Sequence, residues 1–188
     1  MTVRPVAAPP AHALGAGDCE AWRDRPLGQP TNALTSLGLV VAGGWVAARG
    51  RAVRPGRRWR PAGYGALLAA AGAGSVAYHG RGGTGSRWLH DLSLYALVAA
   101  SGAVEVGAVA WRRQRPGPVV TAGLVAAPLA YLLGRTSSPV CRPRSRWQWH
   151  GVWHLLVAVT GAAWAEETLI RPDRATGAPS PGSVRPLA

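Results

Sequence analysis

The sequence predicts an all-α fold, a polytopic bundle of about five transmembrane helices with the N-terminus outside. Three observations carry this expectation. Long runs of Ala, Gly, Leu and Val are apolar nearly all round, whereas the helices of a soluble domain show a single apolar stripe. Arginines crowd into short clusters between those runs, as in loops that lie beside anionic headgroups. Trp59, Trp88, Trp111 and Trp147 fall at the predicted span ends, where amphipathic rings settle at a membrane interface.

The 188 residues give room for one domain, read as an extramembrane leader over 1–30, a helix bundle over 31–170 and a disordered tail over 171–188. Prolines interrupt the apolar character of residues 1–17, so no cleaved signal is expected there. A polar stretch, DCEAWRDRPLGQP, follows and can pack over a helix end. The first span runs from Thr31 or Asn32 to Ala48, and the loop after it carries six arginines between Arg49 and Arg60. The second, Pro61 to His79, has about the length a ~30 Å hydrocarbon core requires. Its Gly63, Gly65, Gly72 and Gly74 predict close approach of neighbouring helices. After a Gly-rich turn, the third span runs from Trp88 to Ala110, closed by Trp111, Arg112, Arg113 and Arg115. The fourth, Pro118 to Leu133, is short and contains Pro128, which predicts a tilt or kink. The fifth runs from Trp147 to Ile170.

The formal net charge is +13, and every basic residue apart from histidine is arginine. In a soluble protein this would point to nucleic acid, but no nucleic-acid reading motif is present. The expected partners are therefore membrane lipid and anionic headgroups, not nucleic acid. Five spans place the termini on opposite sides. Twelve arginines fall on one side and nine on the other, a bias that puts the N-terminus outside. A plasma membrane of bacterial type is the expected location. Nothing in the pattern fixes an oligomeric state.

The residues that carry chemistry gather at the outer ends of the spans. Ser75 and His79 stand four residues apart at the end of the second span, Asp91 opens the third, and His150 and His154 repeat the four-residue spacing at the head of the fifth. Residues four apart share one helix face, and the alternating direction of the spans brings all of these to the outer side. Three imidazoles suit a zinc ion, leaving one position for water. Asp91 is the candidate for proton transfer, and Ser75 for a hydrogen bond to a developing oxyanion. Ionisable groups inside spans are costly and mark function, and this set points to hydrolysis of an amide or ester at the membrane surface. His90 is expected just behind the ligands, Glu105 beside Arg112 or Arg113, Glu166 and Glu167 solvated at the inner end, and His12 without a role. Cys19 and Cys141, the two cysteines, can form one bridge if both face an oxidising side.

The order and spacing Ser75-x-x-x-His79, Asp91, His150-x-x-x-His154 resembles the alkaline ceramidases and the wider membrane-hydrolase superfamily that includes the adiponectin and progestin receptors. Cys19-Glu20 followed by Asn32 and Ser36 is similar to the stretch that precedes the first span in that family. The resemblance covers about Asp18 to Trp164. It implies a zinc-dependent amidase acting on ceramide-like lipids and releasing a fatty acid and a long-chain base. His79, His150 and His154 would be the zinc ligands, Asp91 the proton-transfer group, Ser75 the oxyanion or water partner, and Cys19–Cys141 a disulfide. The family has seven spans where five are counted here, so the lipid cavity is expected to be narrower or open to the bilayer. Its N-terminal calcium site is incomplete here: Glu20 is retained, Asp18 is shifted next to it and Gln29 stands where an acid is expected, so calcium is not expected, and Glu20, Asn32 and His90 stand as the residues for an outer shell or an N-terminal cation site. Two other classes are weighed: a non-catalytic membrane protein with a structural zinc or a receptor-like role, and a haem carrier, which would need histidines facing one another across helices.

Overall fold

The computed structural model describes residues 17–23, 26–112 and 116–171, with 104–112 described as backbone only. His12, most of the leader, the tail beyond 171 and the side chain of Glu105 lie outside the described residues. Among those residues the chain is all-helical: α1 Pro30–Gly50, α2 Trp59–Arg81, α3 Thr84–Arg112, α4 Pro118–Leu133 and α5 Trp149–Ala165, the last running on into a π-helical turn, Glu166–Ile170.

The helix ends follow from local chemistry. Pro30 occupies the first turn of α1, where its missing N–H is no loss. Gln29 offers no side-chain cap; instead the Glu20 carboxylate accepts the N–H groups of Thr31 (2.9 Å) and Asn32 (2.8 Å). A charged acceptor at a helix N-terminus satisfies orphan donors and meets the positive end of the dipole. After α2, Gly82 (φ +67°) and Gly83 (φ +91°) turn the chain in the left-handed region that favours glycine. The turn needs only these two residues, and Arg87 N–H already bonds Gly83 O at 3.1 Å. Consequently α3 starts at Thr84, earlier than Trp88, and Asp91 lies two turns inside the helix instead of opening it. Pro128 is accommodated within a continuous α4.

Each helix packs chiefly on its neighbours in the order α3, α2, α1, α5, α4. The α1–α2 crossing is backbone-close: a methyl group added to Gly65 would sit 2.5 Å from Gly43 O, so only glycine fits. Gly74 does the same for α3, where a methyl group would meet the Leu89 and His90 backbone at 2.9 Å. Gly63 departs from the expectation, because its Cα faces open space. The core runs through Leu39, Val46, Tyr64, Leu68, Ala158 and Trp164. Because α3 and α4 stand at the two ends of this arc, they flank an open-sided cleft of about 890 Å³, backed by α5.

At the end of the bundle away from the histidines, Glu166 bridges Arg49 (3.0 Å) and Arg171 (2.7 Å), and Glu167 accepts the Gly117 N–H at 3.0 Å. Both acids are engaged in tying helix ends together, not simply solvated as expected. Among the described residues one helix, α1, is long and apolar enough to cross a membrane, and α4 is a shorter apolar helix.

Candidate metal centre

Three helices build the centre. The last turn of α2 supplies His79, and the first two turns of α5 supply His150 and His154. Each of the three imidazoles offers a ring nitrogen, and these atoms all lie within 4.8 Å of one another. All three rings are buried. The i, i+4 spacing puts His150 and His154 side by side, ring centroids 4.7 Å apart, and His79 faces them at 5.3 and 5.4 Å. Gly134 lets the chain after α4 pass close to α5, since a methyl group there would meet His150 N at 2.6 Å.

The hydrogen bonds around the rings select tautomers. Gln29 Nε2 donates to Glu20 O at 2.6 Å, so Gln29 Oε1 is left to accept from His79 Nδ1–H, also at 2.6 Å. His79 Nε2 then carries the lone pair, and it has no hydrogen-bond partner although it is buried. On α1, Thr35 Oγ1 donates to Thr31 O (2.8 Å) and Ser36 Oγ to Asn32 O (2.6 Å), which leaves both hydroxyl oxygens to accept from His154 Nδ1–H at 3.1 and 3.3 Å. The lone pair of His154 is thereby set on Nε2, where Ser75 Oγ lies at 3.2 Å. Beside His150 Nδ1 stands a carboxylate that sequence reasoning did not place there. Asp18 Oδ1 is 3.3 Å away, in electrostatic contact but without the alignment of a hydrogen bond, and His150 Nε2 is also buried without a partner. Burial pushes the Asp18 carboxyl well above the usual carboxylate range, against the lowering effect of Arg135, with Glu20 adding to the rise.

The residues present fit a divalent cation. Unpaired polar atoms in a dry interior are costly, and here His79 leaves one ring nitrogen without a hydrogen bond and His150 leaves both. Three imidazoles, two with their far nitrogens held by hydrogen bonds and the third with a carboxylate beside it, form a donor set suited to a divalent ion. Zinc is compatible with it. The arrangement does not suit axial haem ligation, because the two α5 histidines lie side by side on one helix.

Ser75 belongs to the centre: it is buried and also meets Ser36 Oγ at 2.8 Å. Asp91 is set one residue back. Its Oδ1 takes the hydrogen bond of His90 Nδ1 at 2.8 Å, and His90, stacked on Tyr78 with its centroid 5.9 Å from that of His79, lines the cleft. Cys19 and Cys141 are joined in a disulfide that ties the leader to the loop before α5. Glu20 uses both carboxylate oxygens on the α1 N-terminus, whereas the buried side chain of Asn32 has no hydrogen-bond partner. Asp18, Gln29 and Thr35 were not foreseen in these contacts. The one signal for Asp18 was its place beside Cys19, whose bridge to Cys141 carries it to within reach of α5.

The cleft opens directly from this centre. His90, His150 and Trp153 line one end, and Leu97, Val120 and Trp164 continue it along the bundle. From His150 to Trp164 is about 21 Å along α5 at the helical rise per residue. The chain matches no protein-family model, no curated protein and no solved structure.

Proposed function

We propose that this chain is a five-span integral membrane hydrolase, zinc-dependent and of the alkaline-ceramidase type, that cleaves the amide bond of ceramide-like lipids to a fatty acid and a long-chain base. The observation that carries the reading is continuity: a three-imidazole centre with unpaired buried nitrogens sits at the end of a long apolar cleft that is open along one side. Such a cleft admits an acyl chain from the bilayer and delivers its polar end to the histidines. The bundle surface supports membrane residence. Leu34 and Val41 on α1, Leu92 and Val98 on α3, Leu124 and Val125 on α4, and Val159 on α5 are all exposed, more apolar surface than a soluble monomer leaves bare. Trp59, Trp88 and Trp147 are exposed near helix ends, in keeping with an interfacial belt. The arginine bias then puts the histidine end on the outer face.

His79, His150 and His154 would hold zinc, which when bound supplies Lewis-acid polarisation of a carbonyl and acidifies water. Ser75 Oγ, beside His154 Nε2, is the donor toward charge developing on the substrate carbonyl oxygen. Asp91 works through its neighbour: by accepting the Nδ1 proton of His90 it sets the His90 lone pair on Nε2. That ring is in the cleft wall, where it can take a proton and return it to the leaving nitrogen. The low polarity of the cleft disfavours water along it, away from the histidine end.

The test is metal analysis of detergent-purified protein together with fatty-acid release from ceramide. One zinc per chain with turnover is the expected result. A zinc-loaded protein that turns over no lipid amide or ester would overturn the hydrolase and leave zinc as a pin between α2 and α5. That second reading is favoured by one observation, that Asp91 meets His90 and not the three imidazoles.

A further inference from the structure

The groups that face Nδ1 of the three imidazoles are not alike: His79 and His154 are hydrogen-bonded there, while His150 Nδ1 has a carboxylate 3.3 Å away without a hydrogen bond. Gln29 and the hydroxyls of Thr35 and Ser36 are neutral, whereas Asp18 brings a carboxylate to His150. Its setting is an unusual one for an acid. The side chain is buried, neither oxygen has a hydrogen bond, and Arg135 Nη1 lies at 3.6 Å. A buried carboxylate so poorly solvated destabilises a fold unless an opposite charge offsets it.

The backbone nevertheless holds it in place. Asp18 pairs antiparallel with Arg135 through Cys19 N–H to Gly134 O at 2.8 Å and Thr136 N–H to Gly17 O at 2.7 Å, and Ala21 N–H bonds Pro143 O at 2.9 Å. The Cys19–Cys141 disulfide closes the same segment onto the loop that leads into α5. The other nearby acids are committed elsewhere, Glu20 to the α1 N-terminus and Asp91 to His90.

We infer that Asp18 is a positioning residue for the metal centre: from the disulfide-anchored leader it holds His150 with its proton on Nδ1 and supplies the negative charge that a divalent cation among three neutral imidazoles requires. A carboxylate behind a ligating imidazole fixes the ring and raises its basicity, and removing such a partner weakens metal binding by about 10- to 100-fold. The inference rests on the metal-binding part of the proposed function and is independent of the hydrolytic part.

The experiment measures affinity for zinc by chelator competition, and the visible spectrum of the cobalt-substituted protein, for the full chain in detergent. Asp18→Asn should bind zinc about 10- to 100-fold more weakly and shift the cobalt bands, with the metal-free protein melting no lower than wild type. In a His150→Ala background the same substitution should change the residual affinity by less than about twofold, because the effect acts through that ring. Wild-type affinity in a folded Asp18→Asn protein, or an equal loss in both backgrounds, overturns the proposal. If Asp18→Asn does not fold, Asp18→Glu, which keeps the charge, is measured instead. It should retain zinc, and a folded Asp18→Glu protein that has lost zinc also overturns the proposal. If no variant and no wild-type protein binds zinc, the metal centre itself is refuted; if all bind as expected but ceramide is untouched, only the hydrolase fails.

Discussion

The two ends of the α5 face that borders the cleft are built on opposite plans. Around His150 and His154, four segments from distant parts of the chain converge: the leader, α1, α2 and the loop after α4. They are buried and polar, set His79 and His154 by hydrogen bonds at Nδ1, and are closed by a disulfide. Farther along α5, toward Trp164, the neighbours thin out to the apolar walls of α3 and α4, which flank a volume of about 890 Å³. The first region fixes the positions of a few atoms, whereas the second leaves room for something flexible and apolar. A centre that must present three lone pairs to one ion tolerates little slack, while a chain-binding cleft depends on space and hydrophobicity and tolerates much more.

The contrast can be broken most severely at the rigid end. His150→Ala or His154→Ala should reduce zinc affinity by more than about 100-fold, beyond the loss typical of an outer partner, and should lower the melting temperature of the zinc-loaded protein, both read on purified samples. Retained zinc in the double variant would contradict the ligand assignment. Next in size, Asp91→Asn should leave zinc content unchanged and lower ceramide turnover by about 10²- to 10⁴-fold, the range of a lost proton-transfer function. In the cleft the effects should be graded. Val98→Trp fills space between α3 and α4 without touching the histidines, so it should keep zinc and melting temperature and reduce hydrolysis of long-chain substrates about tenfold, roughly the worth of a few displaced methylene contacts. Short-chain substrates should be spared. Equal loss for both lengths would show that the cleft does not hold the acyl chain. The smallest effect should be at Gly63, which has no neighbour to clash with: Gly63→Ala should stabilise α2 by about 0.5–1 kcal/mol, read as a small rise in melting temperature.

The same contrast explains what could be read in advance. Helix number and most boundaries were legible, because apolar runs bounded by arginine, glycine and proline leave few alternatives; α4 starts and stops at Pro118 and Leu133 as expected. The meeting of the three histidines was legible for a similar reason, since the four-residue spacing of His150 and His154 is a local rule and His79 ends the helix of opposite direction. What could not be read depends on tertiary contact. A two-residue glycine turn moved the start of α3 and with it the place of Asp91. The helix-end roles of Glu166 and Glu167 depend on Arg49 and Gly117 coming near, and Gly63 differs from Gly65 only in which side of α2 it occupies. Asp18, which lies beside a candidate ligand, comes from a leader segment with no periodicity at all, placed by a disulfide and a few backbone hydrogen bonds.

On the proposed reading His79, His150 and His154 surround one zinc ion. X-ray absorption at the zinc edge of the detergent-purified protein tests it directly. Three imidazole nitrogens and one oxygen at roughly 2.0–2.2 Å are the predicted shell, lost in the His150→Ala, His154→Ala double variant. A sulfur-containing shell, a protein that takes up no zinc, or an unchanged spectrum in that variant would contradict it.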